Sequence, residues 1–179
     1  SSPNTKGLRD FHEQEKLKDL LLTLNKIKKD NKTDIPLLLK VSPDIKENHI
    51  SEIVDVAIKN NISAIILTNT TNGNRDNLVS EIKKEEGGLS GEPIQQISTN
   101  MIKKFYKQLN GKIPIVGVGG VNSGKSAYEK IIAGASLIQL YTGFIYRGPS
   151  VAKDIKKELI QILKTEGLSN IKEAIGKGA

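Results

Sequence analysis

A chain of 179 residues has the length of one domain or of part of a larger one, and two independent domains do not fit in it. Its 37% apolar fraction and 16 glycines support a packed core and exclude wholesale disorder, while the absence of cysteine excludes a disulfide scaffold, a thiolate metal site and a Cys nucleophile. The formal charge of +7 raises nucleic acid as a partner, but the lysines fall in dispersed pairs such as Lys28-Lys29, Lys103-Lys104 and Lys156-Lys157, and tryptophan is absent, so no nucleic-acid partner is expected.

Apolar residues at helical spacing (Phe11, Leu17, Leu20, Leu21, Leu24, Ile27) predict a first helix over 11–29, followed by a polar loop and a buried-strand run over 36–41. Asp44 with Glu47 three residues on predicts a capping box, opening a helix whose stripe is Ile50, Ile53, Val54, Ala57 and Ile58. The next strand, 64–67, runs into Thr68-Asn69-Thr70-Thr71, and a charged, Gly-rich loop leads to Gly87-Gly88-Leu89-Ser90-Gly91. A helix carrying Ile97, Met101, Ile102, Phe105, Tyr106 and Leu109 closes at Asn110-Gly111, and the strand 113–118 ends in Gly119-Gly120. Ser123 is placed to cap a short helix through Ile131, a strand over 137–140 ends at Tyr141-Thr142-Gly143, and a final helix carries Val151, Ile155, Leu159, Ile162 and Leu163.

Strands that are apolar throughout and joined by helices predict an α/β fold with a parallel sheet. Polar or glycine residues sit toward the carboxyl end of every strand: Lys40, Thr68-Asn69-Thr70, Gly119-Gly120 and Tyr141-Thr142. That distribution favours a (β/α)8 barrel, whose functional face collects all its strand ends, over a doubly wound sheet with one switch point. A whole barrel takes about 250 residues and eight strands, so the four strands predicted in this length are half of one. Gly119-Gly120 and Tyr141-Thr142-Gly143 can aim backbone N–H groups and a hydroxyl at one point, a phosphate site that needs no lysine. His12 and His49 lie far apart and outside any ligand motif, so no metal is expected. The start Ser1-Ser2-Pro3-Asn4 has no signal-peptide character and reads as cut from something longer.

Taken in order, Ser1-Ser2-Pro3-Asn4-Thr5-Lys6-Gly7-Leu8-Arg9, Lys40 within LLLKVSPD, Thr68-Asn69-Thr70-Thr71, Gly87-Gly88-Leu89-Ser90-Gly91-Glu92-Pro93, IPIVGVGG and AGASLIQLYTGFIYRGP resemble the membrane-associated, quinone-dependent dihydroorotate dehydrogenases in order and spacing. The resemblance runs from the first residue almost to the last. It implies a TIM-barrel flavoenzyme of pyrimidine biosynthesis that oxidises dihydroorotate to orotate, passes a hydride to FMN and then electrons to a membrane quinone. Residues 1–179 would be the C-terminal half of that barrel, with the N-terminal half and the membrane helices absent. The location implied is peripheral, on a bacterial cytoplasmic membrane or the mitochondrial inner membrane.

Residue by residue, the resemblance makes Ser2 the catalytic base, where another branch of the family has Cys, and makes Asn4, Asn69 and Thr70 the pyrimidine-binding set. Lys40 matches the lysine beside the flavin, Thr68 a flavin contact, and Ser90, Gly91, Gly119, Gly120, Tyr141 and Thr142 the contacts to the rest of FMN. Lys6 stands where the family often has Pro, and the loop 72–86 is highly charged. From the residues alone two other readings stay open. One is a Schiff-base aldolase or another phosphate-binding barrel, since Lys40 ends an apolar strand. The other is a non-catalytic half barrel, whose open strand edges call for the missing half or a second copy.

Overall fold

The computed structural model describes residues 1–73 and 75–179, apart from the side chain of Ile82. Asn74, in the charged loop, lies outside the description. Four strands, β1 (Leu38–Val41), β2 (Ala64–Leu67), β3 (Ile115–Gly117) and β4 (Ala135–Ile138), form one sheet in the order β1-β2-β3-β4 with every pair parallel. Helices α1 (Gln14–Asp30), α2 (Asn48–Lys59), α3 (Gln95–Leu109), α4 (Gly124–Ile132), α5 (Thr142–Arg147) and α6 (Val151–Thr165) precede, separate and follow the strands. The strand order never reverses, as a barrel requires and a doubly wound sheet does not.

The helices cover one face of the sheet. Leu17 and Leu21 of α1, Ile53 and Ala57 of α2, and Ile102 and Phe105 of α3 close on Val41, Ile65, Leu67 and Ile115 in one buried cluster. Val121, Ala127, Val151 and Ile155 make a smaller one where α4 meets α6. The opposite face carries a register row of Lys40, Ile66, Val116 and Leu137. Val116 is buried at its middle, whereas Leu137 on the edge strand is 63% exposed, and Leu38 on the other edge is 46% exposed.

Several elements differ from expectation. The first helix begins at Gln14, after a separate 3-10 turn over Leu8–His12 that leaves Phe11 exposed. The Asp44–Glu47 capping box does not form, because Glu47 is itself the residue before α2 and Asp44 is bound elsewhere. β1 and β3 start two residues late, next to Pro36 and Pro114, which cannot donate to a ladder. β4 starts two residues early because Gly134, at φ +119°, turns the chain directly from α4 into pairing. The predicted final helix is α6, with all five of its apolar residues, and the short α5 ahead of Gly148-Pro149 was not anticipated. Ser123 caps α4 as expected: its hydroxyl accepts from Ser126 N at 3.2 Å, and the Ser126 hydroxyl accepts from Ser123 N at 3.0 Å.

Candidate active site

Because the strands are parallel and in sequence order, their carboxyl ends lie side by side and open into one cavity of about 630 Å³. Lys40 reaches it from β1, Thr68, Asn69 and Thr70 from β2, Gly119 and Gly120 from β3, and Tyr141 and Thr142 from β4. Ser90 and Gly91 of the long β2–α3 loop complete its rim. Every predicted site residue except Ser2 and Asn4 therefore lines the same space.

Local bonding fixes these groups. Buried Thr68 donates its hydroxyl to Asn69 O at 2.9 Å. Asn69 accepts from Thr70 N through Oδ1 at 2.8 Å and donates through Nδ2 to Ser1 Oγ at 3.0 Å, so the orientation of its amide is set from both ends. The Ser90 and Thr142 hydroxyls lie 2.9 Å apart, tying the long loop to the end of β4. Two glycines are obligatory here. Gly91, at φ +82°, packs so that an added Cβ would meet the Thr142 methyl at 2.9 Å, and Gly120, at φ +74°, would meet Gln95 Cβ at 2.4 Å. Backbone N–H groups are thus brought to the cavity wall without intervening side chains, which suits a phosphate.

Ser2 and Asn4 sit on the N-terminal turn, outside the lining of this space, and Asn4 N donates to Ser2 Oγ at 3.2 Å. Asn4 lines a second, shallower cavity with Pro3, Asn72, Arg75 and Gly87. The turn is tethered by the Ser1–Asn69 bond and by an ion pair not anticipated from the sequence, Arg9 to Asp44 at 2.8 Å. Asp44 also accepts from Asn72 N at 2.9 Å and from the Thr71 hydroxyl, so one carboxylate joins the serine-bearing segment to the end of β2. Beneath it, buried His12 accepts from Ser42 N through Nε2 at 3.2 Å, and burial pushes its pKa down to about 4, keeping the ring neutral. Lys130 of α4, fully buried against Gly117 and the first turns of α3, is a second residue that the sequence reading passed over. The signal was present: with Ala127 and Ile131 it falls on the apolar stripe of a short helix.

A parallel α/β sheet with its polar groups gathered at the carboxyl ends of consecutive strands defines an enzyme of the (β/α)8 barrel class, of which this chain holds four strand-helix units. The family model described as dihydroorotate dehydrogenase matches residues 1–163, and the chain belongs to that family of flavin-dependent oxidoreductases. It is 45% identical over 161 residues to the dihydroorotate dehydrogenase (quinone) of Christiangramia forsetii, covering 90% of this chain and 47% of that protein. It is 42% identical over 181 residues to the mitochondrial dihydroorotate dehydrogenase (quinone) of Arabidopsis thaliana, covering 98% and 39%. The crystal structure of DHODH in complex with ferulenol from Eimeria tenella superimposes with a TM-score of 0.94 at 36% identity, over 99% of this chain and 52% of that one. The chain thus spans about half the length of the curated relatives it matches. No helix among the described residues is long and apolar enough to cross a membrane.

Proposed function

We propose that this chain supplies the flavin- and pyrimidine-binding face of a quinone-dependent dihydroorotate dehydrogenase, which oxidises dihydroorotate to orotate in pyrimidine biosynthesis. The observation that carries the proposal is the convergence of Lys40, Asn69, Thr70, Gly91, Gly120 and Thr142, from all four strand ends, on one cavity. Its two halves differ in chemistry, as FMN requires: glycine-exposed backbone lies toward β3 and β4, and a cation with amide and hydroxyl groups lies toward β1 and β2. FMN, when bound, would supply the acceptor for the substrate's hydride and pass the two electrons on to a membrane quinone.

The chain's own residues do the rest. Gly119, Gly120, Tyr141 and Thr142 hold the phosphate end, with Ser90 and Gly91 closing over it. Lys40, on the open face of β1, places a cation where negative charge develops on the flavin as it is reduced. Asn69, its carbonyl oxygen committed to Thr70 N and one amide hydrogen to Ser1 Oγ, presents its second amide hydrogen to the pyrimidine's acceptors, and Thr70 and Asn4 add further partners. Ser2 Oγ takes the proton from the carbon adjacent to the one that loses hydride, passing its own proton outward. The Asn4 N–H on that oxygen favours its deprotonated form.

The apolar inner faces exposed on both edge strands, at Leu38 and Leu137, support completion of the barrel by a segment preceding Ser1, which would also carry the membrane attachment and the quinone path. The protein is placed on the surface of a bacterial cytoplasmic or mitochondrial inner membrane. Purified full-length protein should carry flavin absorbance that bleaches on anaerobic addition of dihydroorotate. Full-length protein that binds no flavin would overturn the proposal.

A further inference from the structure

Lys130 is fully buried, and no carboxylate pairs with it among the described residues. Its Nζ donates to Ser98 Oγ at 3.0 Å, Thr99 Oγ1 at 3.2 Å and Gln95 O at 3.3 Å, all neutral oxygens of the first turns of α3. The neighbouring Glu129 carboxylate is turned to the Gln95 side-chain amide at 2.7 Å. None of the three oxygens depends on the lysine for a partner. Ser98 donates to Val118 O at 2.6 Å, and Thr99 donates to Gln95 O at 2.9 Å. A neutral side chain of similar length would therefore leave this packing satisfied, whereas an ammonium removed from water is costly unless an opposite charge compensates it.

The same residues that hold the ammonium form the floor beneath the glycine pair. A Cβ on Gly119 would lie 3.1 Å from Ser98 Cβ, and one on Gly120 would lie 2.4 Å from Gln95 Cβ. The cation is thus one residue removed from each glycine, through Ser98 for Gly119 and through Gln95 for Gly120. Arg147, the other cation near the β3 and β4 ends of the cavity, is engaged by Asn122 O and Glu158. We propose that Lys130 is a positioning residue that acts through the Gly119–Gly120 loop as a buried counter-charge for the cofactor's phosphate, so that the site selects phosphorylated over unphosphorylated flavin. The proposal rests on the FMN reading of the cavity. Burial also lowers the Lys130 pKa to about 8, so its charge is at the edge of stability without an anion and is reinforced by one.

The test is the ratio of riboflavin to FMN dissociation constants in full-length apoprotein, for wild type, Lys130→Gln and Lys130→Met. Gln keeps a donor for the α3 oxygens without the charge, and Met keeps only the bulk. A unit charge acting on a phosphate across one layer of side chains is worth about tenfold or more in affinity, so both variants should lose at least tenfold in the ratio through weaker FMN binding alone. Riboflavin affinity should stay near that of wild type. A ratio restored by Gln, or retained by Met, would overturn the inference and leave the FMN reading standing. Wild type that binds riboflavin as tightly as FMN would overturn both.

If neither variant folds, the wild-type ratio is followed with pH. The charged group acting on Lys130 is Glu129, while α3 faces it with Gln95, Ser98 and Thr99 and β3 with Gly117. The ratio should fall as pH rises above about 8 and the ammonium loses its proton. A constant ratio through that range, with the phosphate dianionic throughout, would overturn the inference.

Discussion

A serine hydroxyl is a weak base in water, and its use as one depends on what surrounds it. Ser2 has a backbone N–H on its oxygen and sits on a turn tied to Asn69 and, through Arg9 and Asp44, to the end of β2. In the proposed reaction Lys40 acts on the other half. Lys40→Ala in the full-length protein should leave the fold intact and slow flavin reduction by about 100-fold or more, since the lost cation acts on charge that develops in the transition state. Unchanged reduction kinetics would remove Lys40 from the site. His12 makes a prediction in pH. Its folded pKa of about 4 lies below the 6.5 of free imidazole, so the unfolded chain takes up the proton first as pH falls. The stability associated with the neutral ring is therefore complete above pH 6.5 and lost progressively as pH drops toward 4. Denaturant unfolding of His12→Gln should show a shallower loss over that interval, and identical slopes in the two proteins would contradict this account.

In the proposed site, loop backbone between elements carries the phosphate end. Gly120→Ala must move the start of α3 or distort a left-handed turn, and should abolish or severely weaken FMN binding in a protein whose circular dichroism is unchanged. Wild-type FMN affinity would show that the loop has slack. Ser123→Ala removes the cap of α4 and should cost about 1 kcal/mol in unfolding free energy. Much of this layer was legible beforehand, because apolar strands, helical stripes and Gly-rich strand ends are local signals. The motifs in Lys40, Thr68–Thr70, Gly119–Gly120 and Tyr141–Thr142 fell on the rim where the strand order puts them. What was not legible depends on contacts across the chain. Asp44 looks like a helix cap in sequence but is claimed by Arg9 and Thr71, 35 and 27 residues away. Lys130 falls on the apolar stripe of α4, but that its ammonium meets only neutral oxygens appears once α3 is packed over it.

In the molecule as a whole, the sheet has two open edges and an inner face bare at Leu38 and Leu137, so the described residues present an apolar surface, which the proposed barrel would cover with its other half. The isolated chain should accordingly lack quinone-dependent turnover, because displacement of ligand groups by about 1 Å already costs about 100-fold in rate. Full activity from these residues alone would defeat that expectation. If this chain carries both the base and the flavin face of a dihydroorotate dehydrogenase, Ser2→Ala in the full-length protein should separate the two half-reactions. Stopped-flow bleaching of the oxidised flavin by dihydroorotate should slow by about 100- to 10,000-fold, while orotate binding and reoxidation by quinone stay near wild type. Bleaching at the wild-type rate would contradict the account and return Ser2 to the role of a turn residue.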